Sequence, residues 1–267
     1  MIKTLVSVDA DLPSSIALRY ACQLANLIGM EVQTIHVEEA DDEGYSPGTG
    51  WVRRTWEQGL LETAQGEIAQ LIRAERHSCP SLVPPKILVG DHEAQILHEL
   101  EQGAYDLFIE GVLYSFSSSN FYKKINSRLF RKAPCPFMLV SNLADLKRGL
   151  LLLEKSVDFH QVISTFLRLF GKAEITLDLF YCQLQAAHEP ISQEDQASET
   201  TLQAARKMLA DHGLEPSDSR VVDGSPKKIG ESFGDYGLVA SSIDPHAGKK
   251  SPFLELLSDV KSAVLLC

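Results

Sequence analysis

Leu88-Val89-Gly90-Asp91 runs into a segment carrying Ile96, Leu97 and Leu100 at helical spacing, halts at Gly103, and re-emerges as Tyr105-Asp106-Leu107-Phe108-Ile109-Glu110-Gly111. An apolar run, a glycine turn, a helical period, a second glycine and another apolar run make a strand–helix–strand unit. Such a unit implies parallel pairing and a right-handed crossover. The same order returns as Val221-Val222-Asp223-Gly224-Ser225-Pro226, a shorter helix, and Gly234-Asp235-Tyr236-Gly237-Leu238-Val239-Ala240-Ser241. The chain therefore reads as one unit written twice. The first copy runs from the strand-like Ile2–Val8 to Phe137–Val140, the second from Gly149–Leu153 to Val264–Cys267. Repeats place function at the interface between copies, and here the second copy is the more degraded.

Outward from this stretch the pattern is regular. Asp11-Leu12-Pro13-Ser14 is a turn that starts a helix, because proline is tolerated in a first helical turn. Ile16, Tyr20, Leu24, Leu27 and Ile28 mark one face of that helix, and Gly29 ends it. Val32–Val37 reads as a strand, Asp41–Gly50 as a polar loop, and Glu57–Ala74 as a longer amphipathic helix. Pro84-Pro85 keeps Leu82-Val83 from being an interior strand. The polar stretch Asn142–Arg148 is the junction, which gives domains 1–143 and 149–267. Beyond it, Phe159–Phe170 and Leu202–Leu209 read as helices, Ile175–Cys182 as a strand, and His188–Glu199 as a polar linker. Strand alternating with helix throughout means α/β with parallel sheets. Ligands in such sheets bind beyond the carboxyl ends of the strands, where strand order reverses. That rule singles out Asp9, Val37, the turn after Gly90 and the segment after Ile109.

Composition narrows the function classes. The 267 residues are 44% apolar and carry a formal charge of −11, an ordinary globular balance that argues against a general nucleic-acid surface. No apolar run is long enough to span a bilayer, and Ile2–Val8 gives way at once to Asp9 and Asp11, unlike a signal peptide. Cys22, Cys79, Cys135, Cys182 and Cys267 form no CxxC pair. They suggest reduced thiols and a cytoplasmic setting, with Cys22 and Cys182 as lone buried thiols.

Here the chain resembles a known family. Leu5-Val6-Ser7-Val8-Asp9 with Pro13-Ser14 looks like the first strand and helix of universal stress proteins. Val89-Gly90-Asp91 and Gly103-Ala104-Tyr105-Asp106-Leu107 are similar to that family's third strand and helix. The most specific match is the family's closing segment, met here as Arg128-Leu129-Phe130-Arg131-Lys132-Ala133-Pro134-Cys135-Pro136-Phe137-Met138-Leu139-Val140. The resemblance is specific over the first half and looser over the second. It implies two tandem Rossmann-like domains, each an open, mostly parallel five-stranded sheet flanked by helices. It also implies an intramolecular pseudo-dimer joined through Phe137–Val140 and Val264–Leu266, with a homodimer and unknown protein partners as further associations.

Members that bind ATP carry Gly-x2-Gly-x9-Gly-Ser/Thr after the fourth strand, so that backbone amides approach the phosphates at a helix start. Gly111 fits the first position, Tyr114 replaces the second glycine, and Lys123 or Lys124 replaces the third. Asp9 and Val37 match the positions that hold adenine and ribose. ATP or AMP in the first domain is thus the one cofactor the resemblance admits. Ser118 and Ser119, placed with Lys123 and Lys124 at the start of the last helix, offer an anion site without glycines, or else a solvated polar turn. In the second half Glu154 or Lys155 stands near the counterpart of Asp9, and Gly248-Lys249-Lys250-Ser251 lacks the earlier glycine of a P-loop.

No catalytic constellation is visible. The histidines form no HExxH and no zinc spacing with cysteine, and His92 alone faces the supposed crevice. Two readings follow: a non-catalytic stress-response adaptor with a degenerate nucleotide site, or an adenine-nucleotide sensor, with or without slow ATP hydrolysis. No metal, nucleic-acid or membrane partner is expected.

Overall fold

The computed structural model describes residues 1–39, 51–76, 79–113, 117–184 and 195–267. The first half runs β1 (Ile2–Ser7), α1 (Leu12–Ile28), β2 (Met30–Glu38), α2 (Trp51–Glu75), β3 (Lys86–Val89), α3 (His92–Gly103), β4 (Leu107–Gly111), α4 (Ser118–Ile125), α5 (Arg128–Lys132) and β5 (Phe137–Val140). The second runs β6 (Arg148–Leu153), α6 (Phe159–Phe170), β7 (Thr176–Leu184), α7 (Asp195–Ala210), β8 (Asp218–Gly224), α8 (Pro226–Glu231), β9 (Leu238–Ser241), α9 (Pro252–Ser258) and β10 (Ala263–Leu266). The strands form one ten-stranded sheet in the order β3-β2-β1-β4-β5-β10-β9-β6-β7-β8. Each half is parallel within itself, and the halves meet where β5 pairs antiparallel with β10. The carboxyl ends of the two sets of strands therefore lie at opposite edges of the sheet.

Local chemistry sets these elements. Asp11 caps α1 by accepting from the Ser14 amide at 2.9 Å, and Pro13 sits in the first turn, where its missing N–H costs nothing. Ala17, Leu18, Tyr20, Ala21 and Leu24 turn to the core. The central strands β1, β4, β6 and β9 are buried on both faces, which explains why their sequences are continuous apolar runs rather than alternating ones. The repeat is also written in the backbone. Gly90 after β3 and Gly224 ending β8 have φ of +145° and +146°, a region closed to residues with a Cβ.

The join is the middle of one core that runs through both halves. Phe137–Val140 and Ala263–Leu266 are all buried, and the Ser141 amide donates to the Ser262 carbonyl at 2.9 Å. Two matching clamps cross it. Tyr20 on α1, fully buried, donates its hydroxyl to the Gly237 carbonyl at 2.8 Å. Arg168 on α6 reaches Asp106 at 3.0 Å. Asp106 and Gly237 each precede the strand next to the join, so each half sends its first helix to the same place on the other.

Several boundaries differ from expectation. Helix α2 begins at Trp51 rather than Glu57, and α7 begins at Asp195, inside the stretch read as a polar linker. Trp51–Trp56 mixes weak helix formers with two arginines, and Asp195–Glu199 is mostly polar, so neither stretch announces its helix by propensity or by an apolar period. The last helix of the first half is broken, α4 ending at Ile125 with Asn126 as its cap and α5 starting from the Ser127 cap. The expected loop at Asp41–Gly50 lies outside the described residues.

Candidate functional site

The carboxyl edge of the first half gathers Asp9 beyond β1, His36 and Glu38 at the end of β2, Gly90-Asp91-His92 beyond β3, and Gly111 at the end of β4. His36 and Glu38 are two residues apart on a strand and so share a face. The His36 ring is almost fully buried and bonded on every side. Its Nδ1 lies 2.9 Å from both the Val8 carbonyl and Asp9 Oδ1, and its Nε2 lies 3.1 Å from Glu38 Oε2. Three acceptors around two ring nitrogens favour the imidazolium, in which both nitrogens donate. The bond to Asp9 does most to raise the His36 pKa, to about 9, against the opposing effect of burial. The same bond holds the Asp9 carboxyl below its ordinary value, helped by the nearby charges of His36 and His92. The backbone of Asp9 is fixed as well, its amide donating to Ser14 Oγ at 2.9 Å.

Among the described residues, no hydrogen bond or ion pair joins Asp9 to the other expected site residues. Val37 is buried, with its side chain on the face opposite His36. Gly111 lacks a side chain for a packing reason: a Cβ there would stand 2.1 Å from the Pro13 carbonyl oxygen, in the first turn of α1. Ser118 and Ser119 do open a helix, behind the Ser117 cap. Lys123 and Lys124 do not, which corrects their expected position at the helix start. They lie in the last turn of α4, where ammonium groups suit the negative end of the helix dipole. Lys123 points to solvent, and the Lys124 ammonium is bound to Glu110 at 2.5 Å. Tyr114 and Ser115 lie outside the described residues.

The second half holds no copy of this arrangement. Glu154 turns back to accept from Ser156. Ser242, at the place of Gly111, accepts from the Asp158 amide at 3.1 Å. Among its described residues the one buried carboxylate is Asp178, at the other end of the strands, held by Arg148 at 2.6 Å, Tyr236 at 2.7 Å and the Asp218 amide at 3.0 Å. Cys22 is not a lone thiol: it is buried beside Cys79, and that neighbour together with burial pushes its pKa up. Among the described residues no three His, Cys, Asp or Glu side chains gather as a metal site, and no helix is long and apolar enough to cross a membrane.

His36 is the residue the sequence reading missed. It stood among eight unpaired-looking histidines, and the one signal available was its place beside Val37 at a strand end adjoining Asp9.

No family model matches the sequence, and no curated protein matches it. Solved structures share its fold over the whole chain. A universal stress protein from Archaeoglobus fulgidus superposes with a TM-score of 0.63 at 13% identity, covering 99% of this chain and 95% of that one. A protein of unknown function from Pseudomonas aeruginosa PAO1 gives 0.58 at 17% identity, covering 99% and 91%. The chain thus has the fold of universal stress proteins, in which it matches full-length neighbours rather than a fragment of them.

Proposed function

We propose that the chain is a non-catalytic, cytoplasmic stress-response adaptor of the universal stress protein type, built from domains 1–143 and 149–267 that act as an intramolecular pseudo-dimer. One observation carries this reading. The carboxylate of Asp9, which would receive the adenine and ribose end of a nucleotide, is already engaged by the buried His36 ring at 2.9 Å. A ligand that needs Asp9 Oδ1 has to compete with a charged partner that the fold already holds beside it. The phosphate end is no better served, because Lys124 is spent on Glu110 and Gly111 is spent on α1.

The second reading, an adenine-nucleotide sensor with ATP or AMP in the first domain, draws on one feature: the Asp9 side chain remains 49% exposed. Calorimetric titration of the intact protein with ATP, ADP and AMP, with and without magnesium, separates the two. The adaptor reading expects no saturable binding. Saturable, nucleotide-selective binding that Asp9→Ala removes would overturn it in favour of the sensor.

A further inference from the structure

We propose that the cavity at the join, beyond the carboxyl ends of β6 and β9, binds a free α-amino acid with an apolar side chain. The cavity measures 370 Å³, within the usual range for small-molecule sites. It lies where ligands bind in open α/β sheets, between the loops that follow the two strands flanking the reversal of strand order. Asp158, Ser242 and Asp244 come from those loops, while Ile125, Phe130 and Arg131 close the cavity from the other half. The site therefore exists only because the halves are joined.

Its charges identify the ligand. The Arg131 guanidinium bonds only the Asn126 side-chain oxygen and pairs with no carboxylate among the described residues. Asp158 uses Oδ1 to cap α6 through the His160 and Gln161 amides, and Asp244 uses Oδ1 on the His246 amide. Each keeps its second oxygen without a hydrogen bond among the described residues. Asp158 also lies 3.8 Å from His160 Nδ1, but neither carboxylate pairs with Arg131, and a cation from one half facing two carboxylates from the other fits a molecule that carries both signs. A nucleotide does not fit, because Asp158 and Asp244 would repel its phosphates and the loop after β9 offers no glycine before Gly248. Apolar Ile125 and Phe130 supply the surface for a side chain. Phe130, Gln161 and Cys267 also line a second, separate cavity of 340 Å³.

Titration of the full-length protein with millimolar L-leucine and L-phenylalanine is expected to give saturable heats. N-acetyl-L-leucine lacks the ammonium and L-leucine methyl ester lacks the carboxylate. Each is expected to bind roughly 10-fold or more weakly than leucine. Arg131→Gln and Asp158→Asn are expected to weaken leucine binding by a similar factor. Asparagine keeps the capping oxygen of α6, so an unchanged thermal melt for Asp158→Asn confines the loss to the charge. Absence of saturable binding by both amino acids, or equal affinity for either blocked analogue, overturns the proposal.

Discussion

His36 decides the chemistry of the first-half crevice, and its protonation can be read in the stability of the fold. The ring gains Asp9 and Glu38 only when the chain folds, so its folded pKa of about 9 stands above its ordinary 6.5. The stabilisation is complete below pH 6.5 and is lost as pH climbs through 9. With solvent screening at half-exposed Asp9, it amounts to roughly 1–2 kcal/mol. The stability gap between wild type and His36→Gln, from urea midpoints, is expected to shrink from about pH 6 to about pH 9.5; a constant gap would contradict the bonded imidazolium. Gly111 makes a second residue-scale prediction. A methyl group 2.1 Å from the Pro13 oxygen must move α1 or β4, so Gly111→Ala should cost roughly 1–3 kcal/mol in a thermal melt without any ligand. A neutral substitution would free that glycine for another role. Neither partnership was legible beforehand, because Asp9–His36 and Gly111–Pro13 meet only after the sheet has formed.

At the scale of elements, the sequence was most legible where burial is most complete. Continuous apolar runs located β1, β4 and β6 nearly to the residue, and the glycines ending β3 and β8 announced the turns through their backbone demands. It was least legible on polar helices. The first turn of α7 carries no apolar stripe, and the break between α4 and α5 rests on a cap at Ser127 within an uninterrupted helical pattern. That break moved Lys123 and Lys124 from a helix start to a helix end, and so changed what they can bind. The second half depends on a buried polar cluster that no pattern signalled: Asp178 on β7 joins Arg148 of β6 to Asp218 of β8. Replacing Asp178 with Ala takes the acceptor from the buried Tyr236 hydroxyl and the Asp218 amide and the partner from the exposed Arg148 guanidinium, at a cost of roughly 1–3 kcal/mol by chemical denaturation. A loss under ~1 kcal/mol would mean that solvent already screens the cluster.

Across the whole molecule, the repeat explains the architecture more economically than either half does alone. Two parallel five-stranded units run in opposite directions, share the β5–β10 pair, and exchange one clamp each, Tyr20 to Gly237 and Arg168 to Asp106. A strand edge that would be open in a single unit is covered here by the other half of the same chain. The central claim is that one chain supplies both partners of this pairing. Light scattering on a fragment spanning residues 1–143, beside the intact protein, tests it most directly. The account predicts a monomeric intact chain and a fragment that dimerises or aggregates through its exposed β5 edge. A fragment that stays folded and monomeric would contradict it.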